Sequence, residues 1–136
     1  MSAPAAELQK AIFAALAADD GLRDILGPGR IHDLAPAGVQ FPYITFGRTS
    51  IYDWSTDTES GTEQLLTIHV WSKAQGKKET HAIIDRVAAC LHDVALAMDG
   101  HHLVSLRMEF SEIVYDDDLS VHHGLLRFRA VTEPAA

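Results

Sequence analysis

Eight histidines in a chain of 136 residues are the first place to look for chemistry, because imidazole ligates metals and exchanges protons near neutral pH. Two pairs are adjacent, His101-His102 and His122-His123, and the acidic run Asp116-Asp117-Asp118 lies between them. The spacing argues against a shared metal centre. Neighbouring residues of a strand point to opposite faces, so each pair offers only one side chain to a common ion. There is no His-Glu-x-x-His motif and no Cys/His ligand set. The triple Asp lacks the alternating spacing and distal Glu of a calcium loop, so it reads as a turn. The histidines read as solvated loop and strand-end residues, with pH sensitivity between about 5 and 8 as their consequence.

Nucleophile and phosphate motifs are also missing. No Gly-x-Ser-x-Gly occurs, and Pro28 removes a needed N–H from the Gly27-Pro28-Gly29 turn. Gly76-Lys77-Lys78 precedes a predicted helix and presents an anion with a helix N-terminus and two positive charges. It lacks the Gly-x-x-x-x-Gly-Lys pattern of a nucleotide loop. Cys90 is the only cysteine, so no intrachain disulfide forms, and its place on a predicted helix makes it a small core or boundary residue. The expectation is no catalytic residue, no cofactor, no metal site and no enzyme; a small metal-dependent enzyme is the competing reading.

Composition narrows the class further. The length is that of one ordinary domain, 1–136, able to bury a core without staples. A hydrophobic share of 47% with 22% charged residues is typical of globular proteins. Eleven basic residues against nineteen acidic ones leave a net charge of −8, which repels nucleic acid. Residues 1–7 lack the charged and apolar regions of a signal peptide, and no apolar run approaches the roughly 18 residues of a membrane span. A soluble cytoplasmic protein with no membrane contact is expected.

The elements that must position any surface site follow from periodicity. Pro4 suits a first helical turn, and Leu8, Ile12, Ala15 and Leu16 continue at helical spacing to about Ala18. Asp19-Asp20 caps a short helical turn that Gly27-Pro28-Gly29 ends. A short strand is possible at 30–33, and 41–52 reads as the first long strand, with Pro42 admissible only at its start or on an edge. Residues 64–72 are rich in β-branched and aromatic side chains and read as a strand. Ile83, Ile84, Val87, Ala88, Leu91, Val94, Ala95 and Met98 then predict one buried helix face reaching Met98. Residues 103–115 alternate, with Val104, Leu106, Met108 and Phe110 on one face, and 121–132 returns with Leu126, Phe128 and Ala130 inward. Arg127 and Arg129 are expected to pair with Glu109 or Asp residues, and the tail 133–136 is expected to fray. The fold class is α+β: a mainly antiparallel four-stranded sheet with one long helix and an N-terminal helix packed on one face.

Two features suggest an interaction surface. The acidic segment 53–63 is too long for a tight hairpin turn and carries Trp54, Asp57 and Glu59. A mobile loop is one reading; a contact arm that orders on assembly is the sharper one, since a Trp left in water is costly. His69 and Trp71 share the strand face opposite Leu66, Ile68 and Val70, and Trp is enriched in interface cores.

Several stretches together resemble a known family. They are Pro36, Phe41-Pro42-Tyr43-Ile44-Thr45-Phe46-Gly47, Ile68-His69-Val70-Trp71-Ser72 with Gly76 before a helix, Leu103-Val104, and His123-Gly124-Leu125-Leu126-Arg127-Phe128-Arg129-Ala130. In order and spacing the chain resembles the small phage tail-completion proteins, including the tail terminators of siphophages and of gene transfer agents, over residues 8–131. The resemblance implies a structural protein without catalytic residues. It implies a ring, six-fold by expectation, that caps the tail tube, joins it to the head-side neck and lets DNA pass without specific binding. Its partners would be further copies of itself, the tail tube protein and a neck or connector protein. Its location would be the bacterial cytoplasm during assembly, then the finished particle. A tail-tube or neck connector protein of the same particle is the alternative. Closing a ring takes two different complementary patches per subunit; the Trp54 loop is one candidate, and a sheet edge or the polar sheet face is the other.

Overall fold

The computed structural model describes residues 3–135; the expectations for Met1, Ser2 and Ala136 lie outside them. Three helices and five strands follow in the order α1 (Pro4–Ala17), α2 (Asp20–Leu26), β1 (Ile31–His32), β2 (Tyr43–Asp53), β3 (Thr62–Ser72), α3 (Lys78–Leu91), β4 (His101–Asp116) and β5 (Val121–Pro134). The strands form one sheet in the order β1-β2-β3-β5-β4. All neighbours are antiparallel except β1, which pairs in parallel with Ile44 and Thr45. The expected α+β class holds, with five strands rather than four. The fifth is the short strand admitted at 30–33, observed at Ile31–His32 and left out of the four-stranded count.

One face of the sheet carries the helices. Leu8, Ile12 and Leu16 of α1, Leu22 and Leu26 of α2, and Ile83, Ile84, Val87 and Leu91 of α3 close over Ile44, Leu66, Ile68, Val70, Leu126, Phe128 and Ala130. Pro4 opens α1, and the Asp19 carboxylate caps α2 by accepting from the Leu22 N–H at 2.8 Å. The same carboxylate takes two hydrogen bonds from Arg86 on α3, which ties the short helix to the long one. Cys90 is half-buried against this core, where burial raises its thiol pKa.

Four expectations are corrected. The long helix ends at Leu91 rather than Met98, because His92 is extended and Asp93 adopts φ 57°. Beyond them Val94, Leu96 and Met98 reach the core as alternate residues of an extended segment. The two residues before that segment dock on the outer edge of β4, where the Asp93 N–H donates to the Leu106 carbonyl and the Met108 N–H donates to His92 Nδ1. In β4 itself, bulges at Leu103/Ser105 and Met108/Phe110 break the expected alternation. Leu103 and Leu106 face the core, while Val104 and Phe110 are exposed, since each extra residue turns the following side chains to the other face. Residues 133–135 do not fray: Pro134 pairs with His101, and the Ala135 N–H donates to the Gly100 carbonyl. Arg129 on β5 pairs with Glu63 on β3, not with Glu109 or an Asp, and Arg127 lies over the Phe110 ring.

Candidate functional site

The face of the sheet away from the helices is where strand register gathers side chains that are distant in sequence. Trp71 on β3 is paired with Tyr43 on β2 and with His123 on β5, so three rings meet in one row. Trp71 stacks on His123 with centroids 4.0 Å apart and an interplanar angle of 1°. Tyr43 lies against the other side of the row at 6.1 Å from Trp71. Trp71 Nε1–H donates to Thr45 Oγ1 at 3.0 Å, which satisfies the indole and holds its plane.

His69, two residues back on the same face, completes the cluster. Its Nδ1 lies 2.7 Å from His123 Nε2. One of these nitrogens carries the proton that the other accepts, so both rings cannot be imidazolium while the bond stands. Burial lowers the pKa of both histidines; for His69 the neighbouring His123 charge adds to it, and for His123 the carboxylates of Glu112 and Asp116 pull partly the other way. The cluster is thus neutral, aromatic and half-buried at neutral pH. Gly47 makes room for it. A Cβ at that position would sit 2.2 Å from His69 Nε2, so the imidazole occupies the space a side chain would take. The position falls where the β2–β3 register shifts between Phe46 and Thr49.

The other expected contact residues lie at the far end of β3. Residues 54–61 form the β2–β3 connection, closed by the Trp54 N–H donating to the Gly61 carbonyl at 2.9 Å and turned by Thr56 N–H to the Glu59 carbonyl at 2.7 Å. Trp54 is 55% exposed, with the Arg129 guanidinium over its ring at 5.4 Å. Asp57 and Glu59 are exposed at the tip. The structure therefore joins His69 to Trp71 and groups Trp54 with Asp57 and Glu59. Trp54 reaches Arg129, level with Leu65, and His69 lies four residues further along β3, about 13 Å away, so the two groups sit toward opposite ends of the strand. His123, Gly47, Tyr43 and Arg129 were not singled out from the sequence as site residues. Only the β3–β5 pairing reveals His123 and Arg129 as partners, and nothing local in either strand encodes that register.

Among the described residues, no group of three or more His, Cys, Asp or Glu side chains is placed to hold a metal ion. A groove of about 200 Å³ between α1, α2 and the Gly27-Pro28-Gly29 turn is lined mainly by Phe13, Leu16, Leu22, Leu26 and Ile31. No helix of the described residues is long and apolar enough to cross a membrane.

Comparison with known proteins agrees with a structural role. The chain is similar to a chain in the virion of a native gene transfer agent particle, with 26% identity, a TM-score of 0.89, and coverage of 98% of this chain and 99% of that one. No curated protein matches it. The model of the tail completion protein gp17 family matches residues 10–133. With nearly its whole length inside that match, the chain belongs to the tail completion protein gp17 family and is a structural protein of a phage-type virion tail.

Proposed function

We propose that the protein is a tail terminator: copies close into a ring, six-fold by expectation, that caps the finished tail tube and joins it to the head-side neck, and DNA passes through its channel without specific binding. The observation that carries this reading is the whole-chain likeness to a component of a gene transfer agent virion, together with the family match. The net charge of −8 supports a channel wall that does not hold DNA. The whole chain, 1–136, acts as one tail-terminator-like domain, assembled in the bacterial cytoplasm and carried in the finished tail. Trp54, Asp57 and Glu59 form a contact arm toward a neighbour, and His69 and Trp71 present the second surface. The partners are further copies, the tail tube protein and a neck protein, with no cofactor, metal or catalytic step.

Sizing chromatography with negative-stain imaging tests the ring, alone and with the tail tube protein. Annular particles of uniform diameter are expected. Monomers under both conditions overturn the proposal. A variant with residues 54–60 replaced by a two-residue turn is expected to fold and to lose assembly. If it assembles as well as the parent, the contact arm is wrong.

A further inference from the structure

Both edges of the sheet are covered over half their length and open over the other half. On β2 the outer edge is occupied only where β1 pairs with Ile44 and Thr45. Residues 46–53 carry no such partner strand, and Ile51 and Tyr52 are exposed there. On β4 the edge is occupied at Leu106 and Met108 by His92 and Asp93. Residues 110–116 have β5 on one side and no strand on the other, with Phe110, Val114 and Tyr115 exposed. Unpaired strand edges with apolar side chains are templates for another chain, and monomeric folds normally blunt them.

The two open segments are not level with each other. Following the ladder across the sheet, Tyr52 pairs with Glu63, Glu63 with Val131 and Val131 with Ser105. Ile44 is likewise level with Ile113 through Val70 and Gly124. The open half of β2 therefore lies toward one end of the sheet, and the open half of β4 toward the other.

We propose that these edges join consecutive copies of the chain, residues 110–116 of β4 pairing antiparallel with residues 46–53 of β2 in the next copy. This rests on the ring reading above and specifies its contact. Outer side chains must meet outer side chains, because a slip of one residue reverses every face. Centring the segments under that constraint sets Phe110 opposite Tyr52, Glu112 opposite Ser50 and Val114 opposite Arg48. Two exposed aromatic rings then cover each other. Arg48, which makes no ion pair within the described residues, acquires Glu112 and Asp116 as diagonal neighbours. The charge complementarity selects a second copy as the occupant, since each edge carries what the other lacks. The contact joins unlike surfaces, so it repeats rather than ending at a dimer.

The offset also has the size a closed wall needs. Tyr52 is level with Ser105 of its own chain but would face Phe110 of the neighbour; Ser105 pairs with Val131 and Phe110 with Arg127, so the slip is four ladder steps, one of the five intervening β4 positions being the bulge residue, or about 14 Å along the strand. Each copy contributes β2, β3, β5 and β4 to the wall, a width of about 19 Å at the usual strand spacing. The ratio corresponds to a strand tilt of about 35°, at the lower end of the 35–45° at which sheets close into barrels. The tilt does not depend on the number of copies, so the pairing is compatible with any ring size that the rest of the subunit sets.

Cross-linking tests the register. In a Cys90→Ala background, Tyr52→Cys with Phe110→Cys places thiols on directly opposed residues, within disulfide reach. Mild oxidation is expected to give a ladder of covalent multimers beyond the dimer, whereas Tyr52→Cys with Asp116→Cys, six residues out of register, gives none. Rings seen by negative stain without that ladder overturn the edge pairing and leave the ring reading standing. Absence of rings as well removes both. Dimers formed by Phe110→Cys alone assign the edge to a symmetric β4–β4 contact and also overturn the proposal. Should the cysteine variants fold poorly by circular dichroism, Arg48→Glu is expected to abolish the multimer peak, and Glu112→Arg with Asp116→Arg in the same chain to restore it. A multimer peak unaffected by Arg48→Glu refutes the pairing.

Discussion

Gly47 offers the sharpest test of the outer-face cluster. Its φ lies outside the left-handed region, so the backbone itself accepts alanine, and loss of unfolded-state freedom alone would favour Gly47→Ala by about 0.4–1 kcal/mol. The added methyl, however, would stand 2.2 Å from His69 Nε2 and 2.6 Å from Cδ2. Two backbone-anchored strands are in contact here, so the imidazole must swing away. Swinging breaks its hydrogen bond to His123 and disturbs the ring packed beside Trp71. Overpacking of this kind costs about 1–3 kcal/mol, which exceeds the entropic gain, and a net loss of about 1–2 kcal/mol is expected. Urea denaturation of the parent, Gly47→Ala, His69→Ala and the double variant measures it. With a slope of about 2 kcal/mol per molar, the midpoint of Gly47→Ala should fall by roughly 0.5–1 M. The double variant should recover most of that loss relative to His69→Ala, giving a coupling well above the roughly 0.5 kcal/mol seen for independent sites. A neutral Gly47→Ala, or additive effects, would refute the claim that the glycine exists to admit the histidine.

Three further outcomes follow from the same geometry. Because burial lowers the pKa of His69 and His123 in the folded chain, the unfolded chain takes up protons first; stability is full above about pH 6.5 and declines as pH falls. Replacing both, His69→Gln with His123→Phe, should flatten that decline in denaturation curves taken from pH 7.5 to 5, and an unchanged slope would contradict the assignment. Asp19→Ala removes the α2 cap and leaves Arg86 without its carboxylate, for a loss of about 1–2 kcal/mol by thermal unfolding at pH 7. The Arg86 hydrogen bonds hold the Asp19 pKa below its ordinary 3.8, so the difference between parent and variant should shrink as pH drops through that region; a constant difference would rule out the ionised carboxylate as its source. Gln64 is buried on β3 with neither amide atom hydrogen-bonded among the described residues. Gln64→Leu should therefore stabilise the chain by about 1 kcal/mol in the same urea assay, and destabilisation would mean that the amide is satisfied in solution.

Much of the molecule is legible in its sequence. Pro4, Asp19 and the Gly27-Pro28-Gly29 turn mark helix ends because capping and φ restrictions act within a few residues. The inward sides of β3 and β5 follow from simple alternation, Leu66, Ile68 and Val70 on one strand and Leu126, Phe128 and Ala130 on the other, all buried in the structure. The α+β class and the tail-completion family were also readable, since the first needs only element type and the second only residues in order. Helix α3 was overextended because Val94 and Met98 satisfy a helical and an extended spacing alike; only the docking of His92 and Asp93 on the β4 edge decides between them. The bulges of β4 were invisible for a similar reason, each being a single residue that the β5 pairing rejects.

The aromatic and histidine cluster divides in the same way. Local alternation places His69 and Trp71 on one face, and it does so from sequence alone. That His123 fills the space beside them, that Gly47 vacates the space beneath, and that the open halves of β2 and β4 lie toward opposite ends of the sheet were decided only by the tertiary structure. Strand alternation is a property of one segment, carried by its own Cα geometry. Register between β3 and β5 is a property of two segments with a helix and another strand between them, and it is set by how the buried faces of all five strands fit under the three helices.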